Sequence, residues 1–221
     1  MKKRSVFLII LLIVAADQAL KIFVKTHYHL DESNLIFGRW FRIYFIENEG
    51  MAYGWKFGGE FGKMALTLFR LAAVIFGVFY IKKIIEKKYN RAFIFCVALI
   101  FAGALGNLID SMFYGLIFEN SNIFPSNIAQ IFPAHGYAGF LHGKVVDMLY
   151  FPIIDTHFPS WFPFWKGEPF VFFSPIFNIA DASISTGIIA IFVFQKRFFG
   201  NHSHQPVVES EKLIKDEMPV S

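Results

Sequence analysis

A mainly α-helical integral membrane protein is what this sequence predicts: a bundle of four transmembrane helices, with a small extracytoplasmic β-sheet on the first outer loop and a long outer loop between spans three and four. Three observations predict it. Of 221 residues, 55% are apolar and 19% aromatic while 17% are charged, a balance too apolar for an ordinary soluble domain. Four stretches approach the ~20 apolar residues that a bilayer core of about 30 Å requires. The basic residues cluster beside those stretches rather than along one helix face. The formal net charge of +4 therefore marks topology, and no nucleic-acid partner is expected.

The spans are read as 5–24, 63–81, 92–110 and 175–194, within one membrane-embedded domain of residues 1–198. The first opens as MKKRSVFLIILLIVAAD, with the basic start, apolar middle and small-residue end of a cleavable signal peptide. Apolar character resumes in QALKIFV, so an uncleaved helix is expected. Lys2, Lys3 and Arg4 precede span one, Lys82, Lys83, Lys87, Lys88 and Arg91 crowd the loop after span two, and Lys196 and Arg197 follow span four. Short cytoplasmic loops concentrate such residues, which places both termini and the middle loop in the cytoplasm.

The outer loop 111–174 carries Lys144 and Lys166 and is rich in Phe, Trp and Pro, suited to the membrane interface. In the first outer loop, 25–62, the stretch WFRIYFIENEG predicts a short strand followed by a turn. The polar tail 199–221 is expected to be disordered and cytoplasmic. Cys96, the single cysteine, lies in an apolar run and reads as a small buried hydrophobe.

An ionisable side chain at mid-membrane costs about 2.5 to 3.5 kcal/mol, so each needs a partner, a cavity or a function. Asp17 and Lys21 are four apart and share a helix face. Asn107 and Asp110 follow the small residues Gly103, Ala104 and Gly106, which permit close helix packing. Asp147 sits among Val145, Val146, Met148, Leu149 and Tyr150, an apolar setting that raises a carboxyl pKa by desolvation. Asn178 and Asp181 fall in the first turns of span four, where a helix dipole favours an anion. Ser183 and Ser185 read as packing residues.

Each site also has a plain structural reading, as an ion pair, helix glue or a helix-start anion. With spans one and three running outward and span four inward, however, all these acids aim at one depth near the outer leaflet. Two aspartates brought close do not both ionise, so one keeps its proton while the other acts as base. His135 and His142 lack an HExxH spacing, and neither a metal nor another cofactor is expected.

Five pieces in order then resemble the lipoprotein signal peptidases, or signal peptidase II, a family of four-span bacterial membrane aspartyl endopeptidases: DQALK (17–21), NEGMAYG (48–54), GALGNLID (103–110), GKVVDM (143–148) and FNIADASISTG (177–187). The resemblance covers about residues 5–198. It implies a catalytic pair at Asp147 and Asp181. It assigns pocket-shaping, substrate-binding or orienting roles to Asp17, Lys21, Asn48, Gly50, Ala52, Asn107, Asp110, Asn178 and Ala180. The substrate implied is a prolipoprotein whose cysteine carries diacylglycerol, cut just before that cysteine. The setting implied is the bacterial inner membrane, among its lipids, with the site toward the outer face; a monomer is expected.

Two features depart from the family pattern. Arginine usually follows the aspartate of span three, whereas this chain has Ser111, leaving Lys144 as a candidate cation for Asp110. Asp110 and Asp147 are also separated by a long insertion, whose Phe and Pro content suggests an interfacial flap and whose plain reading is a surface elaboration. Two other classes compete: a small proton-coupled transporter, because intramembrane Asp and Lys also form proton relays, and a non-catalytic assembly protein whose polar residues only hold helices together.

Overall fold

Helices set the frame in the computed structural model, which describes residues 1–49, 59–123 and 127–199. Gly50, Ala52 and the tail from residue 200 lie outside the described residues. Helix α1 (Lys3–Lys25), α2 (Gly59–Glu86) and α3 (Arg91–Ile109) come first, with strands β1 (Ser33–Phe37) and β2 (Phe41–Asn48) between α1 and α2. A π-helical turn (Asp110–Tyr114) and the short α4 (Gly115–Ile117) extend α3. Strands β3 (Val145–Tyr150), β4 (Ile154–His157), β5 (Pro169–Phe172) and β6 (Ile176–Phe177) follow, then α5 (Ile179–Val193) and α6 (Gln195–Phe199).

Three helices among the described residues are long and apolar enough to cross a membrane, Lys3–Lys25, Phe61–Glu86 and Arg91–Ile117. Helix α5 is apolar but shorter; its 15 residues span about 22 Å at the helical rise. It begins four residues later than the sequence predicts, because Ile176 and Phe177 pair with β3 and Asn178 caps the helix. Large apolar side chains such as Phe7, Leu12, Phe69, Phe76, Phe79 and Phe192 are exposed along α1, α2 and α5, the surface that lipid covers.

Helix packing depends on small residues. A Cβ on Gly103 would lie 2.2 Å from the Ala180 carbonyl oxygen, and one on Gly106 would lie 2.7 Å from Asp17 Oδ2. Only glycine lets α3 approach α5 and α1 this closely, as small-residue motifs do in membrane bundles.

The strand predicted in the first outer loop forms as β2, but the sheet is not confined to that loop. Its order is β1-β2-β3-β6, antiparallel throughout, so the second outer loop supplies half of it. A separate hairpin joins β4 to β5. Val146 and Met148 join Val24, Ile43, Phe45, Tyr114 and Phe118 in a buried cluster that docks the sheet on the end of the bundle. Strand alternation then turns Asp147, which lies between them, toward the opposite face. A second cluster of Val6, Ile81, Ile84, Phe93, Ile94 and Ala98 closes the other end.

Among its described residues the insertion docks against the end of α3 and the sheet. Gly136 packs against the backbone of Gly115 and Leu116. The Tyr137 hydroxyl accepts the Lys144 N–H at 2.7 Å. Ser121 is buried beside Lys25 and Glu47.

Candidate active site

The polar residues of α1, the end of α3, β3 and the start of α5 converge on one buried network. Its centre is Lys21, fully buried because the apolar bundle surrounds it and three acceptors satisfy its ammonium group. Asp17 Oδ2 lies at 2.9 Å and Asp110 Oδ2 at 2.8 Å, with Asn107 Oδ1 at 2.9 Å. A buried cation is tolerated only when paired and hydrogen-bonded in this way. The expected Asp17–Lys21 pair is present, and Asp110 is added to it.

Each carboxylate also fixes backbone. Asp17 Oδ1 accepts from the Ala180 N–H at 2.9 Å, placing an anion on the first turn of α5, where unpaired N–H groups and the dipole favour it. Asp110 Oδ2 accepts from the Val146 N–H at 3.3 Å, which pins β3 one residue before Asp147. The π-helical turn buries Asp110, Ser111 and Tyr114; such turns are frequent at functional sites.

The two candidate catalytic acids meet through asparagines. Asn178 donates from Nδ2 to Asp147 Oδ1 at 2.6 Å, while its Oδ1 accepts the Asp181 N–H at 2.8 Å as the N-cap of α5. Asn107 donates to Asp181 Oδ1 at 2.7 Å, and its own Oδ1 accepts from Asn178 at 3.1 Å. Asn48 adds a contact to Asp147 Oδ2 at 3.3 Å. Asn178 therefore aligns the side chain of Asp147 and the backbone of Asp181, while Asn107 aligns the Asp181 carboxylate.

Burial raises the Asp147 carboxyl to about 7, and the charge of Asp181 adds to the rise against the opposing hydrogen bond from Asn48. Two acids in one low-dielectric setting separate in this way, one protonated beside one ionised.

Of the predicted site residues, Asp17, Lys21, Asn48, Asn107, Asp110, Asp147, Asn178, Ala180 and Asp181 are brought together here; Gly50 and Ala52 lie outside the described residues. Lys144 is not the cation of Asp110. It pairs with Glu47 at 3.2 Å, because the docked insertion and β2 hold it on the far side of β3, and Lys21 takes its expected place. Burial opposes ionisation of Glu47, but Lys25 and Lys144 outweigh it and hold the carboxyl below its ordinary value.

Two contributors escape sequence reasoning. Gln18 donates to Asp110 Oδ1 at 2.8 Å and to Asp17 Oδ2 at 3.2 Å, while its Oε1 accepts from the Tyr114 hydroxyl at 3.2 Å. Arg70 of α2 donates from Nη1 to Ser111 Oγ at 2.9 Å. The available signal was the same for both: a polar side chain inside an apolar span requires a partner.

Comparison with known proteins places the chain in a family. A family model of signal peptidase (SPase) II matches residues 9–197. The lipoprotein signal peptidase of Porphyromonas gingivalis (strain ATCC 33277) is 47% identical over 191 residues, covering 86% of this chain and 81% of that one. That of Amoebophilus asiaticus is 34% identical over 192 residues, covering 86% and 76%. A solved bacterial membrane enzyme, determined in meso at 2.3 Å resolution, superposes with a TM-score of 0.57 at 22% identity, covering 92% of this chain and 94% of its own. Another, at 1.9 Å, gives 0.56 at 25% identity, covering 87% and 93%.

Proposed function

This chain belongs to the signal peptidase II family and is a protease that removes signal peptides from prolipoproteins; we propose that Asp147 and Asp181 carry out the cut. The observation that supports this is their convergence on one asparagine, with Asn178 bonded to the Asp147 carboxylate at 2.6 Å and to the Asp181 N–H at 2.8 Å. Asp147, with its carboxyl raised to about 7, holds the proton. Asp181 takes a proton from water as the water oxygen attacks the scissile carbonyl carbon, and Asp147 hydrogen-bonds the carbonyl oxygen. On collapse of the tetrahedral intermediate, the proton held by Asp181 passes to the leaving nitrogen, breaking the C–N bond.

Lys21, Asp17, Asp110, Gln18 and Asn107 form the rigid support that keeps the two acids in register. Gly50 and Ala52 are given a substrate-binding or supporting role by the family resemblance of the NEGMAYG stretch. The substrate is a precursor already carrying diacylglycerol on the cysteine that follows the scissile bond. The chain is a multi-pass bacterial membrane protein. Its fourth crossing is α5 with α6 after it, residues 1–198 form one domain, both termini are cytoplasmic, and the site lies toward the outer face. The basic clusters at Lys2, Lys3, Arg4, Lys196 and Arg197 support that orientation. The enzyme works as a monomer among membrane lipids.

The test is cleavage of a diacylglyceryl-modified precursor by the purified enzyme in lipid. Asp147→Asn and Asp181→Asn should each lower the rate about a thousandfold or more while leaving folding intact. Processing at the normal rate by either variant would remove that residue from the catalytic pair.

A further inference from the structure

Arg70 lies in the apolar run between Lys63 and Lys82, where it is the charged residue of the stretch, and it is half-buried. An arginine at that depth is costly unless it serves a partner or a function. Its Nη1 donates to Ser111 Oγ at 2.9 Å. Ser111 in turn donates from Oγ to the Asn107 carbonyl oxygen at 2.9 Å, and the Asn107 side chain holds Asp181 Oδ1 at 2.7 Å. A continuous path of hydrogen bonds therefore runs from α2 through the end of α3 to Asp181. The guanidinium is also near enough to Asp181, Asp110 and Asp147 to interact with the charge of each.

Among the described residues, two cations thus face the acids. Lys21 comes from α1, but its ammonium contacts are taken up by Asp17, Asp110 and Asn107. Arg70 comes from α2 and is seated on the side chain that directly follows Asp110. A guanidinium suits this place because it is always charged and its rigid fork anchors one N–H while others remain directed elsewhere.

We infer that Arg70, seated on Ser111, is the positioning cation of the aspartate pair, supplying from α2 the positive charge that favours one ionised carboxylate beside one protonated one. This rests on the reading of Asp147 and Asp181 as the catalytic pair. Ser111 makes the arrangement possible: an arginine at 111 would direct its guanidinium into the space that Arg70 fills from the neighbouring helix. Among the described residues, the charged groups facing the pair are Asp17 and Lys21 of α1, Arg70 of α2, Asp110 of the π-helical turn and, across the pair, Asp147 of β3 and Asp181 of α5. Among the described residues, removing Arg70 leaves Lys21 as one cation among four acids, Asp17, Asp110, Asp147 and Asp181.

The experiment measures kcat and its pH profile on a diacylglyceryl-modified precursor for the native enzyme, Arg70→Gln, the double variant Arg70→Gln/Ser111→Arg, and Asp181→Asn. Arg70→Gln should lose roughly 10- to 100-fold in kcat. Its alkaline limb should move to higher pH, because loss of a cation favours the protonated carboxyl. Ser111→Arg in the same chain should restore both. An unchanged alkaline limb in Arg70→Gln overturns the inference, as does a double variant that fails to recover rate and profile. Should Arg70→Gln not accumulate as folded protein, the double variant decides alone: native processing supports the inference, and its absence overturns it. Asp181→Asn separates the two levels. If that variant still cuts, the pair assignment fails and this inference falls with it; if it is inactive while Arg70→Gln keeps the native profile, only the role of Arg70 is wrong.

Discussion

Asn178 holds Asp147 at 2.6 Å from its side-chain amide, although the two residues lie on different elements, one capping α5 and the other inside β3. The same side chain accepts the Asp181 N–H, so a single amide sets the sheet acid against the helix acid. Replacing it should affect chemistry more than folding. Asn178→Ala should cost about 1 kcal/mol as a lost N-cap, seen as a small drop in thermal midpoint in detergent. Its kcat/KM should fall about 10- to 100-fold, because acids displaced from reacting geometry lose rate steeply. A fall in rate no larger than the fall in stability explains would reduce Asn178 to a cap.

The pH dependence follows from Asp147, whose carboxyl is raised to about 7. Below that value it keeps its proton and serves as acid; above it the proton is lost, so kcat/KM should decline as pH rises through about 7. The same shift acts on stability. Between the ordinary value of 3.8 and about 7, the folded state keeps a proton that the unfolded chain has released, so the stability contributed by this group falls as pH rises and levels off above 7. Rate profiles on a lipidated precursor check the first statement, and thermal unfolding of the native enzyme against Asp147→Asn across pH 4 to 8 checks the second. A rate still rising above pH 8 would contradict the role given to Asp147.

Lys21 makes the largest predicted contribution to stability. Lys21→Met removes the cation that Asp17 and Asp110 share at 2.9 and 2.8 Å and leaves two buried carboxylates facing each other. Breaking one partner of a buried pair costs about 3 to 5 kcal/mol, enough to prevent accumulation of many variants. Adding Asp110→Asn should recover part of the folded protein by removing one stranded charge, and detergent-solubilised yield with unfolding temperature measures it. Equal stability of Lys21→Met and the native protein would mean that the triad contributes little.

Much of this fold was legible in the residues, and the reason is local. Apolar runs of spanning length produced the α1, α2 and α3 expectations, and the β-branched and aromatic run WFRIYFIENEG produced β2, because period and composition are properties of one element. The pairing of Asp17 with Lys21 was equally legible, since four residues place two side chains on one helix face. The start of α5 was not, because a strand pairing competes for Ile176 and Phe177 and no local signal records it.

The sequence by itself determined the class of the molecule, its apolar helices and the set of polar residues that must find one another inside an apolar surround. Desolvation sets that demand, and it depends only on which residues are placed in the spans. Which partners meet was decided by tertiary structure alone. Lys144 turned to Glu47 while Lys21 took Asp110; Gln18 and Arg70 entered the network; and β3 and β6 joined the sheet of the first outer loop. Those choices depend on how closely α3 approaches α1 and α5 at Gly103 and Gly106, and on the docking of a sheet whose strands come from two loops. Such distances arise between elements far apart in the chain, where neither periodicity nor spacing carries information.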